Sequence, residues 1–210
     1  MIKVIKHLTF LFLALFFLLF APPVLAAENW TIDNFQSQID VGSDGKVQVT
    51  ETIDTDFGFV AKHGIFRDIP YIYYTNNGSN IYTDIQILNV SQDGSAAIYR
   101  FSKEGNFLRL KIGDPNRTIS GKREYEIKYL VSGVLRGFDD HDELYWDVTG
   151  NGWPVLITKA SALVTLPQDS ITKIACYEGF LDRLLLVCLN NYRKLRQHFG
   201  RPEYLRQRRD

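Results

Sequence analysis

The chain is short of cysteine, carries no net charge, has no apolar run of membrane-spanning length and contains none of the short motifs that announce a nucleophile. Each shortage removes a class of protein. Two cysteines, Cys176 and Cys188, make at most one bridge, so a disulfide framework is excluded. If the two pair, the closed loop contributes about 3 kcal/mol. The 24 basic and 24 acidic side chains cancel, but unevenly. Residues 27–179 hold 14 Lys and Arg against 21 Asp and Glu, while residues 180–210 hold eight against three. The body is therefore acidic, which argues against a nucleic-acid partner, since phosphate contacts need a basic face. There is no Gly-x-Ser-x-Gly, no His-Glu-x-x-His and no catalytic-cysteine context, so the sequence names no nucleophile or zinc protease.

The start of the chain is informative in its own right. Lys3 and Lys6 precede an apolar run over residues 8–20, then Pro22 and Pro23, then Val24 and Ala26. A charged segment, an apolar segment and a small-x-small site, in that order, read as a secretory signal peptide over residues 1–26. The run falls short of the roughly 20 residues that cross a bilayer, although an uncleaved anchor is the alternative. Everything after Ala26 is expected outside the cytoplasm.

No segment of the body has a helical period. Alternating runs separated by turn residues predict strands instead. Asp44-Gly45 joins Ile39–Val41 to Val47–Ile53 as a hairpin. Further runs lie at 81–87, 98–101, 107–112, 125–131, 144–148, 155–166 and 171–174. The fold class that follows is all-β: an antiparallel β-sandwich, Ig-like in general architecture, over residues 27–179. A closed barrel is the alternative. Residues 58–74 and 133–143 are expected as long loops at the sandwich ends. Residues 180–210 form a basic tail, either an irregular or amphipathic helical segment on the sandwich or a membrane surface, or the product of a shifted reading frame.

Two constellations could carry chemistry. The first is His63-Gly64-Ile65-Phe66-Arg67-Asp68-Ile69-Pro70. As an enzyme, it offers His63 as a base and Arg67 as an anion clamp, completed by an acid from 139–147. As architecture, Arg67 pins the loop by pairing with a carboxylate. Alternation in Val47-Val49-Glu51-Ile53 puts Glu51 on the apolar face, where an unpaired carboxylate costs several kcal/mol. Glu51 and Arg67 are therefore expected to touch.

The second constellation is Asp139-Asp140-His141-Asp142-Glu143, followed by Tyr145, Trp146, Asp147 and Trp153. Close-spaced carboxylates at Asp139, Asp140, Asp142 and Glu143 suit Ca²⁺, although the spacing is not that of an EF-hand. Trp146 and Trp153 are either core aromatics or a sugar-stacking pair.

The two motifs, with Asp-Gly-Lys-Val-Gln-Val-Thr-Glu at 44–51 and Leu166-Pro167, resemble bacterial domain-of-unknown-function family 2207 over residues 30–179. The resemblance implies a predicted membrane protein: a signal peptide, an extracytoplasmic β-rich domain, then transmembrane helices. It implies no activity, substrate or catalytic residue. No apolar stretch of that length follows residue 179, so the expectation divides between a frame change and a secreted remnant. The reading that results is an exported, non-enzymatic cell-envelope module that binds or scaffolds an envelope protein or glycan. It needs no cofactor. Membrane association would come through the signal segment or a C-terminal span. The alternatives are an envelope hydrolase and a calcium- or glycan-binding module.

Overall fold

The computed structural model describes residues 29–74, 80–137, 142–150 and 152–167, with the backbone of two short strands at 186–188 and 197–198. The described residues form strands and connecting segments, without a helix. In chain order the strands are β1 (Thr31–Val41), β2 (Val47–Asp56), β3 (Ile65–Pro70), β4 (Ile72–Tyr73), β5 (Ile81–Tyr82), β6 (Asp84–Gln92), β7 (Ser95–Ala96), β8 (Tyr99–Glu104), β9 (Phe107–Ile112), β10 (Lys122–Ser132), β11 (Leu135–Gly137), β12 (Asp142–Tyr145), β13 (Ala160–Thr165), β14 (Leu186–Cys188) and β15 (Gln197–His198).

The larger layer is a seven-stranded sheet in the order β14-β13-β1-β2-β10-β6-β7, and the smaller is β3-β9-β8. Alternation makes one face of each layer apolar. In β2, Val47, Val49, Glu51, Ile53 and Thr55 are buried and their neighbours are not; in β10, Tyr125, Ile127, Tyr129 and Val131 repeat the pattern. From the smaller layer, Ile65, Arg67 and Ile69 of β3 and Leu108, Leu110 and Ile112 of β9 face inward. Apolar faces of this kind exclude water by stacking, which gives the sandwich. Full burial of each Val, Leu or Ile contributes about 1.5–3 kcal/mol.

Most pairs are antiparallel, as the turn signals predict, including the β1–β2 hairpin. Three pairs among the described residues are not: β13 runs parallel to β1, β14 to β13 and β15 to β12. A parallel neighbour needs a long crossover, and its last part is described at residues 146–150 and 152–159, which lead into β13. Ile32 and Phe35 receive its far end through backbone bonds to Leu156, Thr158 and Lys159. β1 itself contains a bulge between Ile32 and Asn34. The extra residue lets Ile32 and Phe35 both face the core although they are three apart.

Two loops expected from the sequence contain strands. Residues 58–74 are not a loop, because they contain β3, a full member of the smaller layer. A charged Arg67 between Ile65 and Ile69 hides the alternation on paper. Likewise 133–143 includes β11 and the start of β12. The signal segment, Cys176, Asp139, Asp140, His141 and the strand expected at 171–174 lie outside the described residues. Within the tail, the described backbone at 186–188 and 197–198 is extended.

Candidate functional site: a buried clamp and the cleft beside it

The expected contact between Glu51 and Arg67 is made, and it ties the two layers together. Arg67 Nε donates to Glu51 Oε2 at 2.7 Å and Nη2 to Oε1 at 2.6 Å, with the two side chains 2% and 0% exposed. Tyr129, which shares the inward face of β10, donates its hydroxyl to the same Oε1 at 2.7 Å. The guanidinium lies over the Phe35 ring, 5.4 Å from its centroid. Burial alone would pull the guanidinium down, but the carboxylate beside it holds Arg67 above its ordinary value. The Tyr129 phenol is held well above its ordinary value by burial and by the Glu51 charge. A buried ion pair in this bidentate geometry adds little beyond a hydrophobic pair of the same size. Removing one member is costly, because the other is left charged and dry.

The same arginine unites the two constellations. Its Nη1 donates to the backbone oxygens of Asp68 at 2.8 Å and Thr149 at 2.9 Å. The second acceptor lies 82 residues away, in the last part of the crossover. Trp153 Nε1 donates to that same Thr149 oxygen at 2.8 Å, and its ring meets Phe35 edge-on. Gly150 fits between because it has no side chain. A Cβ there would lie 2.3 Å from Arg67 Nη1, and its φ is +72°. Asp147 Oδ1 accepts from the Gly150 N–H at 3.0 Å, closing the turn.

The remaining candidates fall into place around this clamp. Trp146 is buried and stacks on Tyr129, so it belongs to the core. Tyr145 packs edge-on against Tyr73. Trp153 is half-buried. Asp68 points to the outer face, where Arg109 of the neighbouring strand donates Nε and Nη2 to its two oxygens, each at 2.7 Å. The hydrogen bond to Asp68 holds the Arg109 guanidinium above its ordinary value. His63 is exposed, with Nδ1 within 3.2 Å and 3.1 Å of the Asp114 and Arg117 carbonyl oxygens. Its ring is thus oriented as an Nδ1–H donor.

Asp142 and Glu143 are successive residues of β12, which sends their side chains to opposite faces. Among the described residues no three His, Cys, Asp or Glu side chains converge as a metal site would require.

Sequence reasoning missed Tyr129, Gly150, Arg109 and the Thr149 carbonyl. One carried a readable signal: a tyrosine on a buried face needs a partner for its hydroxyl. Arg109 is placed opposite Asp68 by the β3–β9 register, which the sequence does not state.

Burial holds the Asp147 carboxyl above the ordinary carboxylate range, with Arg67 opposing. The folded domain therefore binds this proton more tightly than the unfolded chain. The group's contribution to stability is most favourable below the ordinary carboxylate pKa and declines as pH rises through the raised one. Asp147→Asn keeps an oxygen for Gly150 and removes the slope. Relative to the parent, the variant is expected to gain stability as pH rises from about 4 to neutrality, followed by urea unfolding in steps. Equal slopes in parent and variant would show that Asp147 titrates as in water.

Beside the clamp, a cleft of about 400 Å³ runs along β3, walled by Trp30, Phe66 and Trp153 and edged by Lys62, Arg109 and Lys111. His63 and Asp68 also border it. The clamp sets its far wall, since Trp153 is held through Thr149.

A family described as "Predicted membrane protein (DUF2207) N-terminal domain" matches residues 31–183. The chain belongs to this family. It is 30% identical over 150 residues to the uncharacterized protein YciQ of Escherichia coli K12, covering 67% of this chain and 24% of that protein. The chain thus spans about a quarter of the length of that relative. Among solved structures, native leukotriene A4 hydrolase from Saccharomyces cerevisiae aligns with a TM-score of 0.37 at 13% identity, over 54% of this chain and 18% of the enzyme. The M1 zinc metallopeptidase of Deinococcus radiodurans aligns with a TM-score of 0.32 at 7% identity, over 49% and 20%. At such scores nothing of those enzymes is carried over. Family membership makes this an N-terminal domain of a predicted membrane protein.

Proposed function

We propose that the chain is the extracytoplasmic binding or scaffolding module of an envelope membrane protein, in which the Glu51–Arg67 clamp fixes the crossover that walls the cleft. One observation carries this reading. Arg67, the residue best suited to hold an anionic substrate, directs its bonds to Glu51 and to the backbone of residues 68 and 149. A guanidinium used in this way positions a loop. The apolar run and small-residue site at the N-terminus support placement outside the cytoplasm.

Fusions of the full chain to alkaline phosphatase, active only after export, and to green fluorescent protein, which fluoresces in the cytoplasm, test the placement. Active phosphatase with dark fluorescent protein is expected. The opposite pair of results would overturn it.

A further inference from the structure

We propose that the cleft along β3 binds an acidic saccharide, its sugar ring lying against Trp153 and Phe66 and its carboxylate met by Lys111. The inference deepens the binding-module reading and rests on it for the envelope setting. A volume of about 400 Å³ lies in the range of small-ligand sites, about 300–1,000 Å³.

Two aromatic rings reach the cleft. Half-buried Trp153 is held edge-on to Phe35, and Phe66 stands 55% exposed at the mouth. A phenyl ring this open contributes little to folding, but offers a surface on which the C–H face of a pyranose can lie.

The charge runs against the rest of the domain. Residues 27–179 are acidic overall, and the outer face of the larger layer carries Asp40, Asp54, Asp56, Glu124 and Glu126 against Lys122 and Lys128. Among the described residues lining the cleft, Arg109 and Lys111 instead stand beside Asp68. Arg109 neutralises Asp68 and also reaches Glu104 at 2.6 Å. Lys111 is exposed, its Nζ 5.6 Å from the Phe66 centroid, and Arg109 Cζ lies 5.7 Å from the same centroid. An exposed cation held at the rim of a cleft is placed to meet a carboxylate on a ligand lying in that cleft. Repulsion from the acidic opposite face is screened beyond roughly 10 Å at ordinary salt.

The test is a titration of the purified full chain, read by tryptophan fluorescence and by calorimetry. The probes are oligogalacturonate, the neutral oligosaccharide maltohexaose, inorganic phosphate and an Asp/Glu-rich peptide. Saturable binding of oligogalacturonate, at least about tenfold tighter than maltohexaose, is expected. Phe66→Ala and Lys111→Gln each weaken it by about tenfold, with unchanged thermal unfolding because both side chains are exposed.

Absence of oligogalacturonate binding would overturn the proposal, as would equal binding of the neutral oligomer or indifference to both substitutions. Tighter binding of the peptide would replace the saccharide with a protein partner, and equal competition by phosphate would remove the role of the ring. The fusion experiment reads location without reference to ligand, so failure of the envelope placement is recognised separately from failure of this titration.

Discussion

Arg67→Met is expected to cost the domain about 3–5 kcal/mol, a large share of the stability a single domain has. The loss comes from what is left behind. Glu51 is fully buried, and its two oxygens take bonds from Arg67 and Tyr129. Without the guanidinium, the carboxylate must stay charged in an apolar layer or take up a proton to fold. Equilibrium urea unfolding at neutral pH measures the effect. The triple replacement Glu51→Leu, Arg67→Met and Tyr129→Phe removes the buried charges and the hydroxyl together. It is expected to recover most of the loss, since a dry ion pair is worth little more than well-packed apolar groups. A triple variant as unstable as Arg67→Met would mean that volume and shape, not the unpaired charge, set the cost.

Gly64→Ala is the second large effect. Gly64 at the start of β3 and Gly113 after β9 meet across the smaller layer, with φ of +144° and +135°. A Cβ on Gly64 would lie 1.9 Å from the Ile112 carbonyl oxygen, and one on Gly113 would lie 1.9 Å from that of His63. Both obstacles are backbone atoms of paired strands, so relief requires the β3–β9 pair to separate at that end. A loss of about 3 kcal/mol or more is expected. Gly58→Ala is the control. Gly58 also has positive φ, +54°, but its Cβ would meet nothing within 4 Å, so only the backbone term of about 1 kcal/mol applies. Equal losses at the two positions would contradict the crowding seen at Gly64.

The sandwich was legible because period-two alternation is strong in β2, β9 and β10, and because Asp44-Gly45 marks the first hairpin. The Glu51–Arg67 contact was legible for the same reason: a carboxylate on an apolar face demands a partner. β3 was obscured by that very partner, since Arg67 interrupts Ile65 and Ile69 and a strand with a charge in its buried row reads as a loop. The parallel β1–β13 edge was hidden because pairing direction depends on where a long crossover lands. Nothing in the local residue pattern of Ala160–Thr165 states it. The cleft was invisible for a related reason. Phe66, Lys111 and Trp153 come together only through the register of β3 on β9 and the bond from Arg67 to Thr149.

The central claim is that Arg67 holds the crossover and not merely the core. Hydrogen exchange of the Trp153 indole N–H tests it most directly, because that proton is bonded to the Thr149 oxygen that Arg67 also holds. The comparison is between the parent and the triple variant Glu51→Leu, Arg67→Met and Tyr129→Phe, under conditions where both are folded. Protection of the indole proton in the parent and its loss in the triple variant, with core amides of β2 and β10 still protected, is the predicted result. Equal indole protection in both proteins would show that the loop keeps its place without the clamp.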